Sequence, residues 1–234
     1  MSVHVSVRHS GRDLAGVARP GESFVAAARR IAATVHGEPV ARDLSGEPKQ
    51  FDVDHDLQVV LRPMTHGDLP LMTRWRQSPH IHTWWLANGD PTPERVAEKY
   101  TPAIDGRTPT RLWVAEGNGR SLGFIQDYRI RDYPEFALLT PDPDAIGLDY
   151  AVGDEQATGK GIGTRMLWSW LLKTRRRYPD VATYFAAPDH RNAASLRVLE
   201  KVGFTQGVWF DEPRSDGSTA TVIGCTLDVA RVIG

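Results

Sequence analysis

From Ile146 to Gly163 the chain reads IGLDYAVGDEQATGKGIG, and these residue types in this order can do chemistry. Ile146 to Val152 has a strand pattern that breaks at Gly153-Asp154-Glu155. Gln156-Ala157-Thr158-Gly159-Lys160-Gly161-Ile162-Gly163 then runs into an amphipathic helix. Three alternating glycines at a helix entry let an anion come close to backbone N–H groups, and the first helical turn has N–H groups with no internal partner. The helix dipole adds positive potential there, so the stretch suits a pyrophosphate. It is not a G-x-x-x-x-G-K-[ST] loop, because Gly159-Lys160 is followed by Gly161. Nor is it a dinucleotide fingerprint: Gly159, Gly161 and Gly163 have the wrong third spacing for G-x-G-x-x-G.

The elements that must position this stretch follow from periodicity. Residues 1–56 read as an N-terminal extension. It has an alternating strand at Ser2 to Val7, an amphipathic helix at Glu22 to Val35, and a Gly/Pro/Asp-rich linker after that. Residues 57–234 read as one domain. Gln58 to Met64 is a strand stopped by Pro63, and Thr65 caps a short helix carrying Leu69, Leu71, Met72 and Trp75. A second helix runs from Pro93 to about Tyr100. Arg111 to Glu116 and Ser121 to Ile130 form a hairpin across Gly117 to Arg120, and Tyr133 to Asp144 is a loop. After the Gly-rich helix come a strand at Val181 to Ala186 and a helix at Arg191 to Val202. Strands at Phe204 to Phe210 and Thr219 to Leu227 close the domain.

Composition narrows the class. The chain has 234 residues, 41% of them hydrophobic and 24% charged, which is enough for a sizeable core. A net charge of −1 gives no footprint for nucleic acid. The single cysteine, Cys225, cannot form an internal disulfide, which fits a reducing compartment. No run approaches 18 apolar residues and the first residues lack an apolar signal core. The expectation is a cytoplasmic protein that does not enter a membrane.

The element order from residue 58 is β-α-α-β-β-β-α-β-α-β-β. Gln156-Ala157-Thr158-Gly159-Lys160-Gly161 matches Gln/Arg-x-x-Gly-x-Gly/Ala, and His190 to Phe204 contains Asn192 and ends Glu200-Lys201-Val202-Gly203-Phe204. Together these resemble the GNAT superfamily of N-acetyltransferases over residues 58–228. Within it, Leu61-Arg62-Pro63-Met64 to Asp68-Leu69, His80-Ile81 with Trp84-Trp85, and Gly147-Leu148-Asp149 resemble aminoglycoside 6'-N-acetyltransferases and siderophore-type lysine N-acyltransferases. The first group carries Asp at the position of Asp149, and the second usually His. Leu199 stands where the aminoglycoside enzymes often have a tyrosine, and Ala187 where they place an acid.

The resemblance implies an α+β fold: a central mixed, mostly antiparallel twisted sheet with a splayed strand pair and flanking helices. It implies acetyl-CoA as cofactor and a small-molecule amine as partner, in a monomer or homodimer. The implied cofactor-binding residues are Tyr150, Ala151 and Val152 on the strand, Gln156, Ala157, Thr158, Gly159, Lys160, Gly161, Ile162, Gly163 and Thr164 in the loop and helix entry, and Asn192 and Arg197. Direct transfer needs a base for the amine. Asp149 alternates with Tyr150, so its carboxylate points to the opposite face, where it can hold an ammonium and take its proton. Trp84 and Trp85 would form a flat wall, while Asp127, Asp149 and Asp189 would suit a polycationic acceptor such as an aminoglycoside. The other readings are a lysine-like acceptor and a non-catalytic coenzyme A-binding module. His80 and His82 lie two apart without a third ligand in range, so no metal is expected.

Overall fold

The computed structural model describes residues 4–9, 12–17, 57–85, 89–133, 142–213 and 219–233. They belong to two units, residues 1–57 with 159–161, and residues 58–158 with 162–234. In the first unit, β1 (His4–His9) pairs antiparallel with β2 (Arg12–Val17). The sequence pattern had suggested a single strand two residues earlier. The expected helix at Glu22 to Val35 and the linker lie outside the described residues.

The second unit is built on a seven-stranded sheet in the order β3-β4-β5-β6-β7-β9-β8. Its strands are β3 (Val60–Pro63), β4 (Arg111–Gly117), β5 (Arg120–Arg129), β6 (Ile146–Val152), β7 (Thr183–Ala186), β8 (Thr205–Pro213) and β9 (Thr219–Asp228). Every pairing is antiparallel except β6 with β7. That parallel pair has only two register partners, Ile146↔Tyr184 and Gly147↔Phe185. Beyond Gly147 the two strands part, and β6 continues to Val152 with a neighbour on one side only, β5.

Helices cover the two faces. Alternation along β5 and β6 puts Phe124, Gln126, Asp149 and Ala151 on one face, because Phe124 pairs with Ala151 and Gln126 with Asp149. On this face lie α1 (Leu69–Gln77), the single turn α2 (Pro79–His82) and α3 (Pro93–Ile104). Trp75, Tyr100 and Phe124 are among the buried residues that join them to the sheet. Thr92 caps α3 by accepting from Arg95 N, and the helix runs past the expected end at Tyr100 through Pro102. Ile125, Asp127, Leu148 and Tyr150 lie on the other face. There α4 (Ile162–Arg177) buries Ile162, Met166, Leu167, Trp170 and Leu171, a stripe at helical spacing. Next to it, α5 (Ala193–Val202) buries Leu199 and Val202, and the short α6 (Val229–Val232) follows β9.

Candidate active site

The splay between β6 and β7 opens a cleft of about 290 Å³. Leu148, Asp149 and Tyr150 line it from β6, and the segment Phe185 to Asp189 lines it from β7 and beyond. Trp84, Trp85 and Lys99 wall it on the face of α1 to α3, whereas Asn192 and Ser195 approach from α5. Because β6 has no neighbour past Gly147 on this side, residues on both of its faces reach the same space.

Asp149 is half-buried on the cleft floor. Its Oδ2 accepts a hydrogen bond from Gln126 Nε2 at 2.7 Å. Burial raises its carboxyl above the ordinary carboxylate range, against the Gln126 bond, the positive charge of Lys99 and a hydrogen bond from Tyr128. Lys99 is exposed as a residue, but its Nζ lies 6.0 Å from the Trp85 ring centre and 5.7 Å from that of Tyr100. Desolvation of that head group and the neighbouring Arg76 push its ammonium down to about 8, while Asp149 opposes the shift. Arg76 is buried. It donates to the Tyr100 hydroxyl at 2.6 Å, and its guanidinium lies 4.7 Å from the Trp85 ring centre. Sequence reasoning missed Gln126, Tyr128 and Lys99. The first two share the face of Asp149 by period-two alternation, so strand parity could have found them. A lysine on a helix surface gave no such signal.

Trp84 and Trp85 both reach the cleft, half-buried. Trp85 also packs edge-on against Phe124, with centroids 5.3 Å apart, so part of it belongs to the core.

Asp127 corrects the expectation of an acid for the acceptor. It is 1% exposed and pairs in register with Leu148, which places it on the face opposite Asp149. Arg111 Nε at 2.6 Å, Trp113 Nε1 at 2.7 Å and Trp170 Nε1 at 2.7 Å all donate to it. Asp189 does line the cleft, but Arg191 engages both its oxygens, at 2.9 and 2.8 Å, and holds its carboxyl down to about 2. Asp144, the last residue of the loop expected from Tyr133, pairs with Arg131 at 2.7 Å.

On the strand expected to meet the cofactor, His80 Nε2 lies 2.9 Å from the Val152 carbonyl, which is therefore already engaged. At the glycine-rich entry, Gln156 N donates to Asp154 Oδ1, Ala157 N to Asp154 O and Thr158 N to Glu155 O. Three of the expected N–H donors are thus spent locally, and the side chain of Ala157 is buried. Gly159 and Gly161 have φ of +74° and +78°, a conformation glycine adopts without strain, and no atom comes within 4 Å of where a Gly161 Cβ would stand. Helix α4 starts at Ile162, so its first-turn N–H groups from Ile162 to Thr164 have no helical acceptor. Those first-turn N–H groups fit an anion. Asn192 Oδ1 caps α5, accepting from Ser195 N at 3.1 Å, and Arg197 is exposed on that helix.

Residues 65–211 match the family model described as an acetyltransferase (GNAT) domain. The chain belongs to this family. It is an N-acetyltransferase, and acetyl-CoA is the acyl donor that the family uses. The aminoglycoside N(6')-acetyltransferase type 1 of Klebsiella pneumoniae is 29% identical over 148 residues, covering 62% of this chain and 73% of that protein. The lysine N-acyltransferase MbtK of Mycolicibacterium paratuberculosis is 24% identical over 148 residues, covering 63% and 66%. Aminoglycoside acetyltransferase AAC(6')-Ib, solved with coenzyme A and kanamycin, superposes with a TM-score of 0.62 at 26% identity, over 73% of this chain and 95% of that one. The same enzyme with ribostamycin and coenzyme A gives 0.63. Among the described residues no helix is long and apolar enough to cross a membrane, and no group of three or more His, Cys, Asp or Glu could hold a metal.

Proposed function

We propose that this N-acetyltransferase acts on a primary amine of a small polycationic acceptor of the aminoglycoside type, by direct transfer from acetyl-CoA. The observation that carries the reading is Asp149, a carboxylate on the cleft floor at the point where β6 loses its second neighbour. Primary amines are protonated at neutral pH and cannot attack as ammonium. Asp149 attracts the cation, orients it against the flat wall of Trp84 and Trp85, and accepts its proton directly or through water. Gln126 and Tyr128 fix the carboxylate for that task. The Gly159 to Thr164 backbone holds the pyrophosphate of the donor, and the free edge of β6 at Tyr150 and Ala151 offers backbone groups to its arm and carbonyl. Cys225 does not serve as an acyl carrier: it is fully buried and burial pushes its thiol up to about 11.

One observation favours a second acceptor class. Lys99 puts a cation on the wall beside Asp149, which suits an amine whose molecule also carries a carboxylate, as a lysine-like acceptor does. Thiol release with a panel of acyl-CoAs against kanamycin-type amines, lysine and N-hydroxylysine separates the readings. Aminoglycoside amines should give the highest kcat/KM with acetyl-CoA. Preference for the amino acids, or for longer acyl chains, would move the assignment to the second class. Coenzyme A binding with no turnover of any amine would leave a binding module.

A further inference from the structure

Direct transfer leaves a sulfur with a developing negative charge, and Leu199, where the resemblance to the aminoglycoside enzymes implies a tyrosine, is 1% exposed. A phenol reaches the same helix from elsewhere. Tyr150, next to Asp149 on β6, projects from the opposite face, and its hydroxyl lies 3.0 Å from Ser195 Oγ and donates toward Ser195 O at 3.3 Å. Ser195 is one turn before Leu199 on α5, on the same side of the helix. Both hydroxyl-bearing residues line the cleft beside Asn192.

We infer that the hydroxyl of Tyr150, oriented by Ser195, is the hydrogen-bond donor that stabilises the leaving sulfur, supplied from the strand in place of the missing helical phenol. The inference rests on the reading of the cleft as the transfer site. Its geometric warrant is the division of labour across β6. Asp149 faces the acceptor wall and Tyr150 faces α4 and α5, while the splay past Gly147 opens a passage from one face to the other. The amine then arrives from one side of the carbonyl and the sulfur departs on the other. The C–N bond forms and the C–S bond breaks. Asp149 takes the first ammonium proton and passes it to water before attack, then takes the second as the C–N bond forms. The electron pair goes to sulfur, and Ser195 Oγ donates to the Tyr150 hydroxyl, whose one O–H turns from Ser195 O to the sulfur and keeps its proton. Coenzyme A leaves as thiolate and takes a proton from water. Burial pushes the Tyr150 phenol above its ordinary value, against the Ser195 bond, so it remains a donor throughout the working range. The groups that face it are the Ser195 hydroxyl from α5 and the buried Cys225 thiol from β9. Asp149 and Lys99 line the same cleft from the other face.

The test reads the thiol of bound coenzyme A by its ultraviolet thiolate absorbance as pH is raised, with no acceptor present. In the parent protein the thiol should ionise at lower pH than in free coenzyme A. Tyr150→Phe should raise that midpoint by about one unit, a tenfold change in the ionisation constant. Ser195→Ala should raise it by less and covers the case in which the phenylalanine variant does not fold. Affinity for desulfo-coenzyme A, measured by calorimetry, reads any part Tyr150 plays in binding apart from the sulfur, and it should change by less than the thiol ionisation constant does. With an amine present, kcat should fall by roughly 10²-fold in Tyr150→Phe, more than any change in KM for acetyl-CoA, the scale for losing one donor to a developing anion. Identical thiol midpoints in the parent and in the folded variants, with coenzyme A bound, would overturn the inference alone. A parent that binds no coenzyme A would overturn the functional reading beneath it.

Discussion

Asp127 and Asp149 sit on hydrogen-bonded strands and differ by one step of register, yet their surroundings suit them to opposite jobs. For both, burial pushes the carboxyl up, and neighbouring donors pull it back. Around Asp127 those donors are a guanidinium and two indole N–H groups, all within 2.7 Å and all sealed in the packing of α4 on the sheet. Its capacity to accept is used up inside the fold, so it locks Arg111, Trp113 and Trp170 in place. Around Asp149 the donors are an amide and a phenol, with the ammonium of Lys99 acting through space, and the cleft lies beside it. A carboxylate fixed by neutral donors and open to a cavity can still exchange a proton. The difference between a structural acid and a chemical one is therefore not burial but which charges are already compensated.

The largest expected effects break this pair apart in opposite directions. Asp149→Asn should lower kcat/KM for the amine by ~10²–10⁴-fold, the scale for losing a general base, while coenzyme A affinity and the unfolding midpoint change little. The fall should shrink as pH rises and more acceptor arrives unprotonated. Asp127→Leu should do the reverse. Removing one partner of a buried ion pair costs about 3–5 kcal/mol. In a chain of this size that lowers Tm by roughly 6–20 °C, with activity per folded molecule retained. Loss of activity in Asp127→Leu at unchanged Tm would end the comparison.

A smaller effect separates donor from acceptor. Gly161→Asp puts a carboxylate where an anion would approach the helix entry, and coenzyme A affinity measured by calorimetry should fall by more than about tenfold, consistent with Coulomb repulsion at short range. The position is open, and the φ of +78° costs an Asp about 1–2 kcal/mol, which a domain of this size tolerates, so the fold should persist. Unchanged affinity would remove this loop from the site.

The sequence already held most of this architecture, and its failures have physical causes. The Ile146 to Val152 strand, the helix from Ile162 and the closing pair of strands were legible because hydrophobic period and glycine position both marked them. Asp127 was misassigned because acids were counted in a region without regard to strand parity. Alternation puts it opposite Gln126, and the register then binds it to the α4 face. Asn192 was expected at the cofactor. It does line the cleft, but the helix-capping use of its oxygen follows from its place just before Ala193 and was equally readable. Lys99 was not readable: its ammonium lies 6.0 Å from the Trp85 ring centre, a tertiary contact that no local pattern marks. Nor was the Tyr150–Ser195 contact, which joins residues 45 apart in the chain.

The smallest effect sharpens the comparison at its weakest point, the compensation of Asp149 by Lys99. Asp189 is held down to about 2 by Arg191, so it stays ionised wherever the enzyme works and adds no titration there. The acid limb of kcat/KM then belongs to Asp149. Because its carboxyl is raised, the base is lost as pH falls through a value above the ordinary carboxylate range, and activity falls with it. Lys99 lowers that value by its charge. Lys99→Met keeps an unbranched side chain of similar length and removes the charge, so the acid limb should move to higher pH. At neutral pH the loss should be only severalfold, as expected for a partly exposed charge pair. The same variant reports on the acceptor. A polycationic amine should bind better once the cation is gone, whereas an amine bearing a carboxylate should show a raised KM. An unmoved acid limb would show that Gln126 and Tyr128 alone set the proton affinity of Asp149, and the cation on the cleft wall would then serve the acceptor and not the base.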